Sequence, residues 1–166
     1  MPWYRASLEG FDSTPRGAAT RLLLADLLFE GRRFEEAAGE YERAAYGYAE
    51  NPDAGRAAYA ALVSYAEADA LVPQARRAEL AGRAVESSLR FADTFPARPE
   101  VPGVLTRTTK ALFDAGDRVR AESVAQRVLA LGPRADAGQQ LVAWTVLAHT
   151  YFDAARYVEA ETAYAE

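Results

Sequence analysis

The chain has 166 residues, enough for one ordinary domain or about four helical-repeat units, and half of them are hydrophobic. Ala dominates that half and Ile is absent, a balance that favours closely packed helices over strands. The 24 acidic and 19 basic residues interleave to a net charge of −5, which argues against nucleic-acid binding, and the absence of Cys excludes disulfides, thiolate metal sites and a Cys nucleophile.

In chain order, the spacing predicts helices over about 2–12, 17–30, 34–50, 53–70, 73–95, 100–115, 118–131, 136–154 and 157–166. The opening Met-Pro-Trp-Tyr-Arg lacks the apolar region of a signal peptide, and no run of about 18 apolar residues predicts a membrane span. Tyr4, Leu8, Phe11 and Pro15 match Tyr41, Ala45, Tyr48 and Pro52 at a constant offset of 37. Residues 1–15 therefore read as the second helix of a repeat whose first helix is missing.

The first full unit, 17–52, has Leu24, Ala25 and Leu28 on one helix face. The tight connection Gly31–Arg33 follows, then Phe34, Ala37, Tyr41 and Ala44. Glu35, Glu36, Glu40 and Glu42, beside Arg32, Arg33 and Arg43, read as a solvated face of weak ion pairs. The second unit, 53–99, is irregular. Tyr59, Leu62, Val63 and Ala66 form its first face, and Ala84, Ser88 and Phe91 its second. A long loop is expected around Ala70–Pro73, with Pro73 suited to open the next helix. The third unit, 100–135, runs Leu105, Thr108, Thr109, Leu112, then Gly116–Asp117 as a helix-ending turn, then Ala121, Ala125, Val128 and Pro133. The fourth, 136–166, runs Trp144, Leu147, Ala148, Tyr151, then Tyr157, Ala160 and Tyr164. Its Ala148 and Ala160 sit where two helix backbones come closest.

The spacing Trp144-x-x-Leu147-Ala148-x-x-Tyr151 with Tyr157, Ala160 and Tyr164 resembles the tetratricopeptide signature. Thr109 and Arg118 depart from it. The resemblance implies an all-α fold, a right-handed superhelical stack of antiparallel helix pairs forming one α-solenoid segment over 1–166. Neither end reads as a polar cap, and Glu166 falls inside a helix, so a segment of a longer solenoid is expected. The junctions Phe11–Pro15 and Phe95-Pro-Ala-Arg-Pro99 resemble those of bacterial cell-envelope tetratricopeptide proteins, such as outer-membrane assembly lipoproteins and the periplasmic coordinator of the Tol-Pal system. That resemblance implies a bacterial periplasm or cell envelope rather than the cytoplasm.

With the four units in register, the resemblance places Phe29, Glu67, Phe113 and Phe152 at a position facing the concave groove. Asp26, Ser64, Lys110 and His149 take another groove position three residues earlier, and Asp114 and Asp153 lie one residue beyond the Phe positions. Rings there are suited to anchor a peptide or helix. The competing reading packs the same Phe residues against neighbouring helices as core. The carboxylate-clamp subfamily needs Lys, Asn and Arg at these positions, and only Lys110 fits.

His149 is the one His, and Asp153 lies one turn on, within reach of it. With no nucleophile converging on them, the pair reads as surface or groove-lining rather than catalytic. No metal set or cofactor motif is expected. The expectation is a non-catalytic scaffold that binds another protein or peptide, with no nucleic-acid partner and no membrane insertion. The alternatives are an architectural element of a cell-envelope protein that forms a homo-oligomer through its unfinished ends, and the helical arm of a larger enzyme.

Overall fold

The computed structural model describes residues 15–49 and 51–165. Tyr4, Leu8 and Phe11, which carry the expected partial repeat, lie outside the described residues. Among the described residues there are eight α-helices and no strand. They are α1 (Pro15–Glu30), α2 (Phe34–Tyr46), α3 (Ala54–Asp69), α4 (Gln74–Thr94), α5 (Val101–Asp114), α6 (Arg118–Ala130), α7 (Ala137–Asp153) and α8 (Tyr157–Ala165), with a 3-10 turn at Gly132–Arg134. The chain divides into two compact units, 1–87 and 88–166, and the boundary falls inside α4. In the first unit α2 packs on both α1 and α3; in the second α6 packs on α5 and α7, α8 on α7, and α5 also on α7.

One turn recurs three times. At the end of α1, the Arg32 N–H bonds the Phe29 carbonyl and the Arg33 N–H the Leu28 carbonyl. Gly116 and Asp117 repeat this on Phe113 and Leu112, as do Ala155 and Arg156 on Phe152 and Tyr151. This is the Schellman pattern, which closes a helix with one left-handed residue. Arg32 (φ 57°), Gly116 (φ 81°) and Ala155 (φ 58°) are those residues. Each turn folds a helix back on its successor after three residues. Each also carries an ion pair at the same place: Arg33–Glu36 (2.5 Å), Asp117–Arg120 (3.9 Å, sign reversed) and Arg156–Glu159 (3.1 Å).

Counted from the left-handed residue, the core positions of the three hairpins coincide. Leu24, Thr108 and Leu147, then Ala25, Thr109 and Ala148, then Leu28, Leu112 and Tyr151 are buried on the first helices. Ala37, Ala121 and Ala160 are buried on the second. Thr109 keeps its hydroxyl satisfied by donating to the Leu105 carbonyl at 2.9 Å, which lets a polar group occupy an Ala position. At the places where the second unit has the buried Leu105 and Val124, the first has Arg21 and Glu40. Glu40 is only 6% exposed and accepts from Arg21 (2.9 Å) and Arg43 (2.5 Å); Arg21 Nε also donates to the Tyr48 hydroxyl (2.8 Å). The expected solvated Glu face thus holds for Glu36 but not for Glu40, because two guanidinium donors, Arg21 and Arg43, compensate its burial.

The second unit of the sequence differs from expectation in two ways. The α3–α4 connection is only residues 70–73; the extra length lies in α4, which has 21 residues where α2 and α6 have 13. The buried face of α3 is Ala57, Ala58, Ala61, Ser64, Tyr65 and Ala68, not Tyr59, Leu62, Val63 and Ala66. Close helix contact selects Ala, and the larger apolar residues at its flank turn partly outward. Ser64, expected in the groove, is buried and donates to the Ala60 carbonyl at 2.8 Å.

The left-handed residues give a direct stability test. A side chain there costs about 1 kcal/mol relative to Gly. Ala155→Gly should raise the midpoint of thermal unfolding by about 2–4 °C, and Gly116→Ala should lower it by a similar amount, measured by calorimetry. For the ion pair, Glu40→Ala should destabilise by about 3 kcal/mol in urea unfolding, since it strands a buried guanidinium. The double change Arg21→Leu with Glu40→Val, which copies the second unit, should recover most of that loss.

Candidate functional site

The α7–α8 hairpin carries the most exposed aromatic surface among the described residues. Helix α7 opens with a reciprocal cap: Asp136 accepts from the Gln139 N–H (2.9 Å), and the Gln139 side chain accepts from the Asp136 N–H (3.0 Å). It closes with the turn at Ala155. His149 and Phe152 are three residues apart on α7, and Tyr157 and Tyr164 seven apart on α8, so each pair shares a helix face. Because the turn reverses the chain, Phe152 meets Tyr157 edge-on (centroids 5.6 Å) and His149 meets Tyr164 edge-on (5.7 Å). The Tyr164 hydroxyl lies 3.2 Å from His149 Nδ1. Phe152, Tyr157 and Tyr164 are 58%, 61% and 56% exposed.

Helix α5 extends this surface. The Phe113 ring lies 6.0 Å from His149, and the Arg118 guanidinium stacks on it at 3.8 Å while also donating to the Phe113 carbonyl. Arg118 Nε then reaches Asp153 at 3.2 Å, and Lys110 pairs with Asp114 at 2.9 Å. The face is therefore aromatic, with its charges mutually neutralised. Asp153 faces Arg118 and His149 faces Tyr164, so the expected His149–Asp153 meeting is replaced by two separate contacts.

In the first unit two of the corresponding residues, Phe29 and Asp26, are partly buried in contacts of their own. Phe29 stacks edge-on against Phe34 (5.0 Å) and packs on the buried cluster of Phe34, Ala38, Tyr65, Ala68, Val72 and Leu80. Asp26 Oδ1 accepts from the Tyr41 hydroxyl at 2.5 Å. Glu67 is exposed on α3. The candidate residues thus fall into two groups: Asp26, Phe29 and Glu67 in the first unit, and Lys110, Phe113, Asp114, His149, Phe152 and Asp153 in the second. In the second group Phe113 meets the His149 ring and reaches Asp153 through Arg118, while Lys110 pairs with Asp114.

Three residues of that surface were not among the expected site positions: Arg118, Tyr157 and Tyr164. The spacing held a signal for two of them. Phe29 and Phe34, Phe113 and Arg118, and Phe152 and Tyr157 are each five apart across the same turn. Asp26–Tyr41 and His149–Tyr164 are likewise one hydrogen bond made at equivalent positions.

A further concavity of about 400 Å³ in the first unit is lined by Arg32, Arg33, Phe34, Glu35, Leu71, Arg76 and their neighbours. Its charges are largely matched internally, with Arg76 on Glu35 (2.8 Å) and Arg33 on Glu36. Among the described residues no group of three or more His, Asp or Glu side chains is arranged to hold a metal ion. No helix there is long and apolar enough to cross a membrane. Neither the protein-family models nor the curated proteins searched gave a match to the chain.

Burial, and next the hydrogen bond to Asp26, push the Tyr41 phenol above its ordinary range. A phenol with a higher pKa folded than unfolded contributes stability that is complete below about pH 10 and is lost as pH rises beyond it. Tyr41→Phe should lower stability at pH 7 by about 1–2 kcal/mol and flatten the alkaline fall in stability between about pH 10 and 12, read by denaturant titration at each pH.

Proposed function

We propose that this chain is a non-catalytic scaffold that binds another protein. We further propose that its hairpins stack as a tetratricopeptide-type solenoid. The observation that carries the first reading is the open aromatic face of α7 and α8. Three large rings there are more than half exposed, whereas at the same places in the first hairpin Phe34 and Tyr41 are buried and Phe29 is partly buried. Aromatic rings supply most contact area per side chain ordered, so such a face is where association gains most. The repeated turns at Arg32, Gly116 and Ala155 support the solenoid reading, since they show one hairpin design used again and again along the chain.

Within this reading Phe152 is the anchor, because its ring is exposed and its removal leaves the core intact. Phe113 is a secondary contact, shielded on one side by Arg118, with His149 and Tyr164 beside it. Phe29 serves the fold of the first unit. Selection from a displayed library of random peptides should enrich sequences that bind the full chain, and Phe152→Ala should abolish the enrichment while circular dichroism stays unchanged. Enrichment that survives the substitution sinks the assignment of the face.

A further inference from the structure

The concavity beside the first left-handed turn belongs wholly to the first unit and lies away from either end of the sequence. Its volume of about 400 Å³ is within the range of small-molecule sites. Two short connections wall it. One is the turn into α2, which begins at Arg32; the other is the link into α4, with Leu71 and Pro73. Backbone bonds hold both walls in place. The Arg33 N–H donates to the Leu28 carbonyl, the Val72 N–H to Ala68 and the Arg76 N–H to Pro73, each at 2.9 Å. The space therefore exists before any ligand arrives, and little ordering is left to oppose binding.

Charge decides what can enter. Glu36 is held by Arg33 through two bonds of 2.7 and 2.5 Å. Glu35 is held by Arg76 at 2.8 Å and by Arg83 at 3.4 Å, and Arg76 also lies 3.8 Å from Glu79. Both lining carboxylates are thus engaged, and an incoming cation finds none open to it. Arg32 differs from the other lining arginines: it is exposed and makes no ion pair among the described residues. With three Arg against two Glu in the lining, the excess is one positive charge, and it sits on Arg32. The turn itself does not require a guanidinium. Gly116 and Ala155 hold the same place in the other two turns, whereas Arg32 keeps a long side chain at φ 57°, a conformation that a side chain disfavours. The apolar part of the lining is also open. Leu71 is 52% exposed, beside Phe34 and Val72, which are nearly covered.

We propose that this concavity binds a small organic monoanion, with a carboxylate set against Arg32 and a compact apolar body of one or two rings against Leu71 and Pro73. A single excess charge suits one carboxylate, and the planar guanidinium matches its two oxygens. The site is separate from the aromatic face of α7 and α8 and does not rest on the protein-binding reading.

The test is a titration of the 15N-labelled full chain with 2-naphthoate, followed by amide resonances. Those of Arg32, Arg33, Glu35, Leu71 and Val72 should shift and saturate, with a Kd on the order of 1 mM for a ligand of this size. Naphthalene-2-methanol should bind about fivefold more weakly, the worth of one exposed charge pair, and 2-naphthylmethylamine more weakly still. Arg32→Gly should weaken 2-naphthoate by the same factor of about five without lowering the midpoint of thermal unfolding, since Gly suits that backbone, and Arg32→Lys should recover most of the loss. Leu71→Ser, at an exposed position, should weaken the acid and the alcohol alike. The proposal is overturned by an absence of shifts at these amides, by shifts confined to α7 and α8, by an amine that binds as well as the acid, or by Arg32→Gly binding 2-naphthoate as the wild type does.

Discussion

The left-handed residue at the end of α1, α5 and α7 is the constraint on which the rest of the structure depends. One residue with positive φ directs two backbone N–H groups onto the last carbonyls of a helix and turns the chain within three residues. With so short a connection the next helix has one direction in which to run. The side chains five residues apart across the turn must then meet, and the buried Ala of the second helix must face the first. The ring pairs at Phe29–Phe34 and Phe152–Tyr157, and the guanidinium on Phe113, follow from that geometry rather than from separate design.

The same geometry explains why one set of positions reads as core in one hairpin and as surface in another. Side chains that emerge beside the turn lie between successive hairpins. They are buried when another helix lies over them, as with Tyr41, and open when none does, as with Tyr164. The two readings of the Phe positions, groove anchor and packing residue, are therefore one position in two states of coverage. Phe29 is partly covered and Phe152 is open.

Much of the fold was legible in the sequence, because the apolar spacing is strong and the punctuating Gly and Pro fall between helices. All eight described helices lie where the periodicity put them, and Gly116 was recognisable as a helix terminator. The face of α3 was not legible. In a helix this rich in Ala every side has similar hydropathy, and Tyr59, Leu62 and Val63 draw attention to the flank rather than to the Ala57, Ala58 and Ala61 contact. Glu40 was misplaced for a different reason: a carboxylate next to other carboxylates looks solvated until Arg21, far away in sequence, is brought onto it. Of the aromatic face on α7 and α8, Phe152 and His149 were named from the sequence. Tyr157 and Tyr164 were read only as part of the repeat signature, since spacing cannot reveal whether a neighbour covers a residue.

The ion pair between Arg21 and Glu40 has a consequence for how the two units can diverge. At the equivalent places Leu105 and Val124 are buried apolar residues, where a swap of similar volume costs little and so allows each residue to drift alone. Arg21 and Glu40 have no such freedom, because losing either leaves the other buried with its charge uncompensated. Positions 21 and 40 are thus expected to change together or remain fixed across descendants of this chain, while 105 and 124 wander independently. One hairpin carries a linked pair of heritable sites where its sibling carries two separate ones.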